Sequence, residues 1–278
     1  MNATYISENG MIGGFLFVVG AIVGSFLNVC IVRMPKEQSI VFPGSHCMNC
    51  KHPIEWFHNI PIFSYIFLKG QCPYCKTGFS IRYCAIEVLT AVTFVLMFLY
   101  FGWTPVLIPY LFMVCCFIVA TFVDFGHRII PDEISVGGMF AGLIFSFFIP
   151  ELHHVTGSSA HWIVPHLVSL WESLLGVLIG GGSIYAMGVL GDFLFKKESM
   201  GGGDVKLLAM IGAFLGWKMA ILTFFIAPFF GAVYGIIEKI RTKDTAIAYG
   251  PFLVLGALMC MLKGQEILAW VMSGYGLY

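Results

Sequence analysis

Charged residues are scarce in this chain of 278 residues. Only 11% of its residues are charged and 59% are hydrophobic, whereas soluble domains carry about 25% charged residues. The hydrophobic residues also lack the strict alternation of outer-membrane barrel strands, and they gather instead in long uncharged runs. These absences exclude an ordinary soluble domain and a barrel. They predict an all-α, polytopic membrane protein.

An excess of charge of either sign is absent as well. Fifteen Lys and Arg residues balance fifteen Asp and Glu residues, so the composition gives no indication of nucleic-acid binding. The first hydrophobic run, residues 11–32, has no basic segment before it and no small-residue cleavage site after it. We therefore interpret this run as a membrane span and not as a secretory signal.

Eight segments are candidate membrane spans because they carry few or no charges. The spans are predicted at residues 11–32, 84–101, 104–123, 134–149, 173–191, 205–217, 219–237 and 246–262. The sixth is the weakest, since it is short and begins at a glycine run. In the first span, Gly20 and Gly24 form a small-xxx-small pattern that predicts a close helix contact.

The positions of Lys and Arg predict the orientation of the chain. If the N-terminus lies outside, thirteen of the fifteen basic residues lie inside, leaving only Lys218 and Lys263 outside. Both termini are then outside the cell membrane, and the loop 33–83 is cytoplasmic. We predict a first helix at 1–32, a loop domain at 33–83 and a membrane core at 84–278. A histidine-containing loop, 150–165, would be external, and its histidines lack the spacing of a metal site.

Four cysteines in the cytoplasmic loop have the spacing of a metal site. Cys47 and Cys50 form one CxxC pair, and Cys72 and Cys75 form a second pair 21 residues further on. Two such pairs supply the four thiolates of a tetrahedral structural zinc site. Redox use of the cysteines is the alternative, although it needs only one pair within a βαβ pattern. Four ligands fill the coordination sphere, so we expect no catalysis by the metal.

Two aspartates lie at predicted cytoplasmic ends of spans. Asp124 ends the third span, and Asp204 opens the sixth directly after three glycines. An ionisable residue at the edge of the hydrocarbon is costly, so each aspartate is a functional candidate. We interpret Glu87 and Asp132, which lie near span ends too, as interfacial anchors.

The residues around Asp204 favour the chemistry of an aspartyl protease. Consecutive glycines allow a close approach by another chain, and a helical substrate must unwind before its peptide bond can be cleaved. Two carboxylates that share one water can divide the acid and base roles of hydrolysis. A helix N-terminus and Lys206 would favour the charged form of Asp204, which predicts Asp204 as base and Asp124 as acid. The residues predicted to lie near the substrate are Gly201, Gly202, Gly203 and Lys206.

Several motifs in this order resemble those of the type IV prepilin peptidases. They are Gly24-Ser25-Phe26-Leu27-Asn28, the paired CxxC loop, Glu87, the segment from Asp124 to Asp132, the GxGD motif ending at Asp204, and Gly250-Pro251-Phe252. The resemblance implies that Asp124 and Asp204 are the catalytic pair and that the four cysteines hold zinc. It implies prepilin or pseudopilin substrates, cut on the cytoplasmic side after a glycine that ends a short basic leader. It also implies N-methylation of the new N-terminus with S-adenosylmethionine, for which no motif is legible.

Two interpretations from other classes stay open at this point. A transporter could use Asp124 and Asp204 as ion-coupling carboxylates and the zinc loop for regulation. Transporters usually place such residues near the bilayer midplane within repeated halves, and no internal repeat is visible in this sequence. A zinc-scaffolded assembly protein without activity would leave the glycine run before Asp204 unexplained.

Overall fold

Helices joined by turns and irregular loops make up the described parts of the chain, together with two isolated β-bridges in the cysteine loop. The structure is a computed structural model that describes residues 3–155, 161–196, 200–241 and 248–274. Within these residues, six helices are long and apolar enough to cross a membrane. The prediction of an all-α, polytopic membrane protein is therefore confirmed. The helices are α1 Ala3–Arg33, α2 Phe63–Phe67, α3 Ile81–Phe101, α4 Leu107–His127, α5 Asp132–Phe148, α6 Ile163–Phe195, α7 Gly202–Arg241 and α8 Gly250–Gly274.

The predicted sixth and seventh spans follow each other in α7 and are separated by a kink. Gly216 has a φ of 78° and a ψ of 170° inside this helix, a conformation that glycine adopts at low cost. The kink lies at the end of the predicted sixth span. Helix α5 has 17 residues and a length of about 26 Å. Depending on whether α5 and both parts of α7 are counted, the chain has six to eight candidate spans.

Among the starts of the helices, the largest differences from the predicted spans are those of α1 and α6, which both begin earlier than expected. Helix α1 starts at Ala3, and α6 starts at Ile163 where the fifth span was expected from residue 173. The prediction of a loop over 150–165 is therefore wrong in part, since Pro150–His153 also forms a 3-10 helix. In that turn, His153 Nδ1 lies 3.0 Å from Ser169 Oγ, so local hydrogen bonds order it. Residues 156–160 of this loop lie outside the described residues, as do Lys197 and Lys243 of the charge count.

The chain divides into two compact units, which are described separately. Unit 1, Met1–Leu107, contains α1, α2, α3 and the cysteine loop. A Cβ atom at Gly20 would lie 2.7 Å from Ala91 Cα, and one at Gly24 would lie 2.8 Å from Glu87 Cα. Helices α1 and α3 thus touch at their backbones, which confirms the close contact predicted from the two glycines. The predicted domain limits at residues 32 and 83 stay a prediction.

Glu87 is buried within unit 1 instead of anchoring the helix at the membrane surface. Its side chain is 8% exposed, and its Oε2 accepts a hydrogen bond of 2.7 Å from the Ile62 amide. The interpretation of Glu87 as an interfacial anchor is therefore wrong. The cause is the backbone contact at Gly24, which presses the start of α3 against α1.

Unit 2, Ile108–Tyr278, is built around α7. Gly176 of α6 and Gly212 of α7 approach so closely that a Cβ on either would overlap the other's backbone. Ser173 Oγ donates a 2.7 Å hydrogen bond to the Ala213 carbonyl between the same two helices. Small residues and satisfied hydroxyl groups are what close packing in hydrocarbon requires. This packing fixes the start of α7, where Asp204 lies.

Candidate active site and metal centre

Four helix ends of unit 2 meet in one place. They are the C-terminal end of α4 and the N-terminal ends of α5, α7 and α8. A Cβ at Gly203, on α7, would lie 3.1 Å from the Ile130 side chain in the short connection between α4 and α5. A Cβ at Gly250, the first residue of α8, would lie 3.0 Å from the same side chain. Ile130 thus holds the starts of α7 and α8 beside the end of α4.

Asp124 is buried in the last turn of α4. Its side chain is 5% exposed, and its Oδ2 accepts a 3.0 Å hydrogen bond from the Gly250 amide. The first amides of a helix have no partner within the helix, and they carry partial positive charge. The N-terminus of α8 therefore supplies the donor that fixes one oxygen of Asp124.

Gly250 is a site residue to which the sequence analysis assigned no role. A Cβ atom at this position would lie 2.8 Å from Asp124 Oδ2, so any side chain would displace the carboxyl group. The signal in the sequence was the Gly250-Pro251 pair, because proline in the first turn marks the start of a helix. The Gly250-Pro251 pair predicts where α8 begins, but it does not predict that Gly250 contacts Asp124, which is 126 positions away in the sequence.

Asp204 lies in the first turn of α7 and is partly buried. Its amide donates a 3.1 Å hydrogen bond to the Gly201 carbonyl. Its carboxyl group is near enough to Asp124 for the two to interact electrostatically. The structure thus brings together the two aspartates that the sequence analysis selected.

Tyr249 is a second neighbour of Asp204 that the sequence analysis did not select. This tyrosine directly precedes α8. Burial, and after it the charge of Asp204, raises the pKa of Tyr249 to about 12. Its hydroxyl group therefore keeps its proton at neutral pH and can act as a hydrogen-bond donor at the edge of the site.

The three glycines before Asp204 occupy different surroundings. Gly203 packs against Ile130, and a Cβ at Gly201 would lie 3.3 Å from Asp204 Oδ2. Gly202 is exposed and has open space where a side chain would be. Gly203 therefore serves packing and Gly201 leaves room for the Asp204 carboxyl group. Gly202 leaves an open surface beside that carboxyl group.

Lys206 binds a different carboxylate from the one expected. Its Nζ lies 2.7 Å and 2.8 Å from the two oxygens of Asp132, at the start of α5. The sequence-based argument for the charged form of Asp204 therefore loses Lys206, one of its two grounds. Asp132 connects the starts of α5 and α7 through this exposed ion pair, and its role as an interfacial anchor stays a prediction.

The four cysteines of the loop converge in unit 1. Their sulfur atoms all lie within 4.8 Å of one another, with Cys47 Sγ 3.7 Å from Cys75 Sγ and Cys50 Sγ 4.0 Å from Cys72 Sγ. Four sulfurs placed tetrahedrally about a zinc ion at about 2.3 Å would be about 3.8 Å apart. Within the residues that the structure describes, this is the one group of His, Cys, Asp and Glu side chains placed to share a metal ion. The cluster is a possible metal site.

Two similar turns hold the four thiol groups. In the first turn the Lys51 amide donates to the Cys47 carbonyl, and in the second the Lys76 amide donates to the Cys72 carbonyl. Both lysines have a φ of 59°, the conformation that closes each CxxC turn. Hydrogen bonds from the Thr77 side chain and backbone lower the pKa of Cys75 to about 5. A thiolate is the form of cysteine that binds metal, so the surroundings of Cys75 suit a ligand, whereas burial and the neighbouring thiol groups raise the pKa of Cys50 to about 11.

The fold and the paired carboxyl groups define a class, namely helical membrane proteins with an acidic site at one end of their helices. Two family models match the chain. The Bacterial Peptidase A24 N-terminal domain matches residues 18–101, which include all four cysteines of the loop. The Type IV leader peptidase family matches residues 111–236, which include both aspartates. With the relatives described next, these matches show that the chain belongs to the type IV leader peptidase family.

Three relatives carry the name prepilin leader peptidase/N-methyltransferase. The protein of Myxococcus xanthus is 38% identical over 82% of this chain, and the matched region spans 63% of its own length, which is less than two thirds. The protein of Neisseria gonorrhoeae is 32% identical over 90% of both chains. The protein of Pseudomonas aeruginosa is 30% identical over 90% of both chains. No solved structure gives a significant match.

Proposed function

We propose that this chain is a bifunctional leader peptidase and N-methyltransferase of a bacterial inner membrane. It removes the short basic leader of prepilins or pseudopilins and methylates the new N-terminal amine. The observation that carries the peptidase activity is the approach of Asp124 and Asp204 within the region matched by the leader peptidase family. The match to the leader peptidase family does not support the interpretation of the chain as a transporter or as a scaffold protein.

The two aspartates form the hydrolytic site in this proposal. The Gly250 amide holds Asp124 Oδ2, which leaves the other oxygen to bind a water shared with Asp204. One carboxyl group, protonated, polarises the scissile carbonyl, while the other accepts a proton from the attacking water. The pair titrates as a unit, and the division of roles between Asp124 and Asp204 stays a prediction.

The open glycine surface beside Asp204 suits an extended substrate segment. Gly202 is exposed and has no neighbour at its Cβ position, so a peptide backbone can approach it closely. An unwound segment in a membrane needs such backbone partners. The distribution of Lys and Arg supports a cytoplasmic site with both termini outside, and this topology suits a leader that stays in the cytoplasm.

Zinc is the metal that the four thiolates fit best. All-cysteine tetrahedral sites are typical of structural zinc, and the sulfur separations of 3.7 Å and 4.0 Å match that geometry. The residues that would hold it are Cys47, Cys50, Cys72 and Cys75. A closed site of this kind stabilises the loop 33–83 and leaves no position for a substrate.

S-adenosylmethionine is the methyl donor in this proposal. When bound, it supplies a methyl group from its sulfonium to the free amine that leader removal exposes. Leader removal must therefore come first, since the amine exists only after the peptide bond is cut.

One experiment tests both activities. The purified full chain in detergent is incubated with a prepilin, with and without S-adenosylmethionine, and the product is weighed by mass spectrometry. We expect loss of the leader in both samples and the added mass of one methyl group only with the donor. An uncut prepilin would overturn the peptidase assignment, and a cut but unmethylated product would overturn the second activity.

A further inference from the structure

Unit 1 contains a partly open cavity that the cleavage chemistry does not use. Its volume is about 300 Å³, at the lower end of the range of about 300–1,000 Å³ for small-molecule sites. The cavity lies between the C-terminal end of α1, the cysteine loop and the start of α3. The lining residues that matter for its chemistry are Ser25, Arg33, Lys51, His58, Tyr83 and Glu87.

Glu87 places a carboxyl group in the wall of this cavity. The Ile62 amide donates to one of its oxygens at 2.7 Å, and Ser25 lines the cavity beside it. No cation forms an ion pair with Glu87 within the residues that the structure describes. A buried carboxylate without a cationic partner is costly, so the site favours a positively charged ligand.

His58 lines the same wall and carries one ring nitrogen without a hydrogen-bond partner in the described parts of the chain. This nitrogen, Nδ1, is buried. Buried polar atoms in native proteins nearly always have a partner, so an orphaned one points to a group that binds there. Arg33 and Lys51 line the cavity too and offer positive charge for a ligand's carboxylate.

We infer that this cavity is the binding site for the methyl donor, S-adenosylmethionine. The inference rests on the proposed methyltransferase function and names its site. The donor carries an ammonium and a sulfonium for Glu87, a carboxylate for Arg33 and Lys51, and a nucleoside whose polar edge can meet His58. In the transfer the acceptor nitrogen forms a bond to the methyl carbon as the carbon–sulfur bond breaks, sulfur keeps the electron pair, and the amine proton leaves to solvent.

Donor binding can be measured without any turnover. Isothermal titration calorimetry of the purified full chain with S-adenosylhomocysteine, and separately with S-adenosylmethionine, gives the two affinities. We expect Glu87→Gln to weaken the binding of S-adenosylmethionine by about 10- to 100-fold. The binding of S-adenosylhomocysteine, whose sulfur carries no charge but whose ammonium is retained, should be weakened less. His58→Ala is expected to weaken the binding of both S-adenosylmethionine and S-adenosylhomocysteine. Glu55→Gln is the matched control, because Glu55 is an exposed acid of unit 1 that does not line the cavity.

The outcomes separate failure of the site from failure of the function. Zinc content and thermal unfolding of each variant establish that unit 1 is folded before affinities are compared. Folded Glu87→Gln and His58→Ala variants that bind the donor as tightly as the parent would overturn the cavity assignment alone. A parent chain that binds no donor and methylates no cut pilin would overturn the methyltransferase function itself. Photo-crosslinking of radiolabelled S-adenosylmethionine should label peptides of residues 25–87, and labelling confined to unit 2 would contradict the inference.

Discussion

The two units gather their polar groups over very different distances along the chain. In unit 1, Cys47 and Cys75 are 28 positions apart, and two short turns bring them together. In unit 2, Asp124 and the Gly250 amide that binds it are 126 positions apart, and helix packing alone brings them together. The thiolate cluster is thus a product of local backbone geometry, whereas the carboxylate pair depends on the whole helical unit.

This difference predicts that the two activities can be lost separately. The carboxylates of unit 2 should serve cleavage, and the metal cluster and cavity of unit 1 should serve methylation. Each of the following changes tests one side of the comparison, beginning with the largest expected effect.

Removing either carboxylate should abolish leader cleavage. We expect Asp124→Asn and Asp204→Asn each to reduce the rate by about 10²–10⁴-fold, because each change removes an acid–base group. Zinc content should be unchanged, and a pilin that has already been cut should still be methylated. Rates come from mass spectrometry of prepilin digests. Near-normal cleavage by either variant would contradict the assignment of leader cleavage to the two carboxylates of unit 2.

Removing one thiolate should have the opposite selectivity. We expect Cys72→Ser to lose most of its bound zinc and to reduce methylation by more than about tenfold, because three ligands hold the metal poorly. Leader cleavage should fall less. Metal analysis of the purified protein measures the first effect, and Cys30→Ser, in α1 and outside both the cluster and the cavity lining, is the control. A Cys72→Ser chain with full zinc content and full methylation would contradict a structural metal.

A single methyl group at Gly250 should disturb the carboxylate site. The Cβ of Gly250→Ala would lie 2.8 Å from Asp124 Oδ2, so the carboxyl group must move. We expect cleavage to fall by about 10- to 100-fold, as small displacements of catalytic groups do. Gly137→Ala is the matched control, since nothing lies within 4 Å of its Cβ position. Equal rates for the two variants would show that Gly250 does not position Asp124.

The ion pair at the starts of α5 and α7 should matter least. Its two side chains are 45% and 64% exposed, and exposed pairs contribute about 0.2–1 kcal/mol. We therefore expect Lys206→Ala and Asp132→Asn to reduce cleavage by roughly two- to fivefold. The same prepilin digests measure the effect. A loss as large as that of Asp204→Asn would move Lys206 or Asp132 into the catalytic site.

The sequence predicted more of unit 1 than of unit 2. The CxxC spacing predicts a cluster of four thiolates, because only short turns are needed to form it, and the small residues of α1 predict its contact with α3. In unit 2 the sequence identified Asp124 and Asp204 by their scarcity and by the glycine run. It did not reveal Gly250 or Tyr249 as neighbours, because a donor from the backbone has no side chain to recognise.

Long-range partners also explain the errors. Lys206 was paired with Asp204 because the two are close in sequence, whereas its actual partner, Asp132, is 74 positions away. Glu87 was placed at the surface because it lies near the end of a span, but the glycine contact between α1 and α3 buries it. Neither packing contact can be derived from hydrophobic periodicity alone.

The central claim is that Asp124 and Asp204 act on one water as a single unit. The most direct measurement compares the cleavage rate of the double variant Asp124→Asn/Asp204→Asn with the rates of the two single variants. Groups that act together are strongly non-additive, so we predict that the double variant is about as slow as the slower single variant. If the two losses multiplied instead, the aspartates would act independently and the claim would be contradicted.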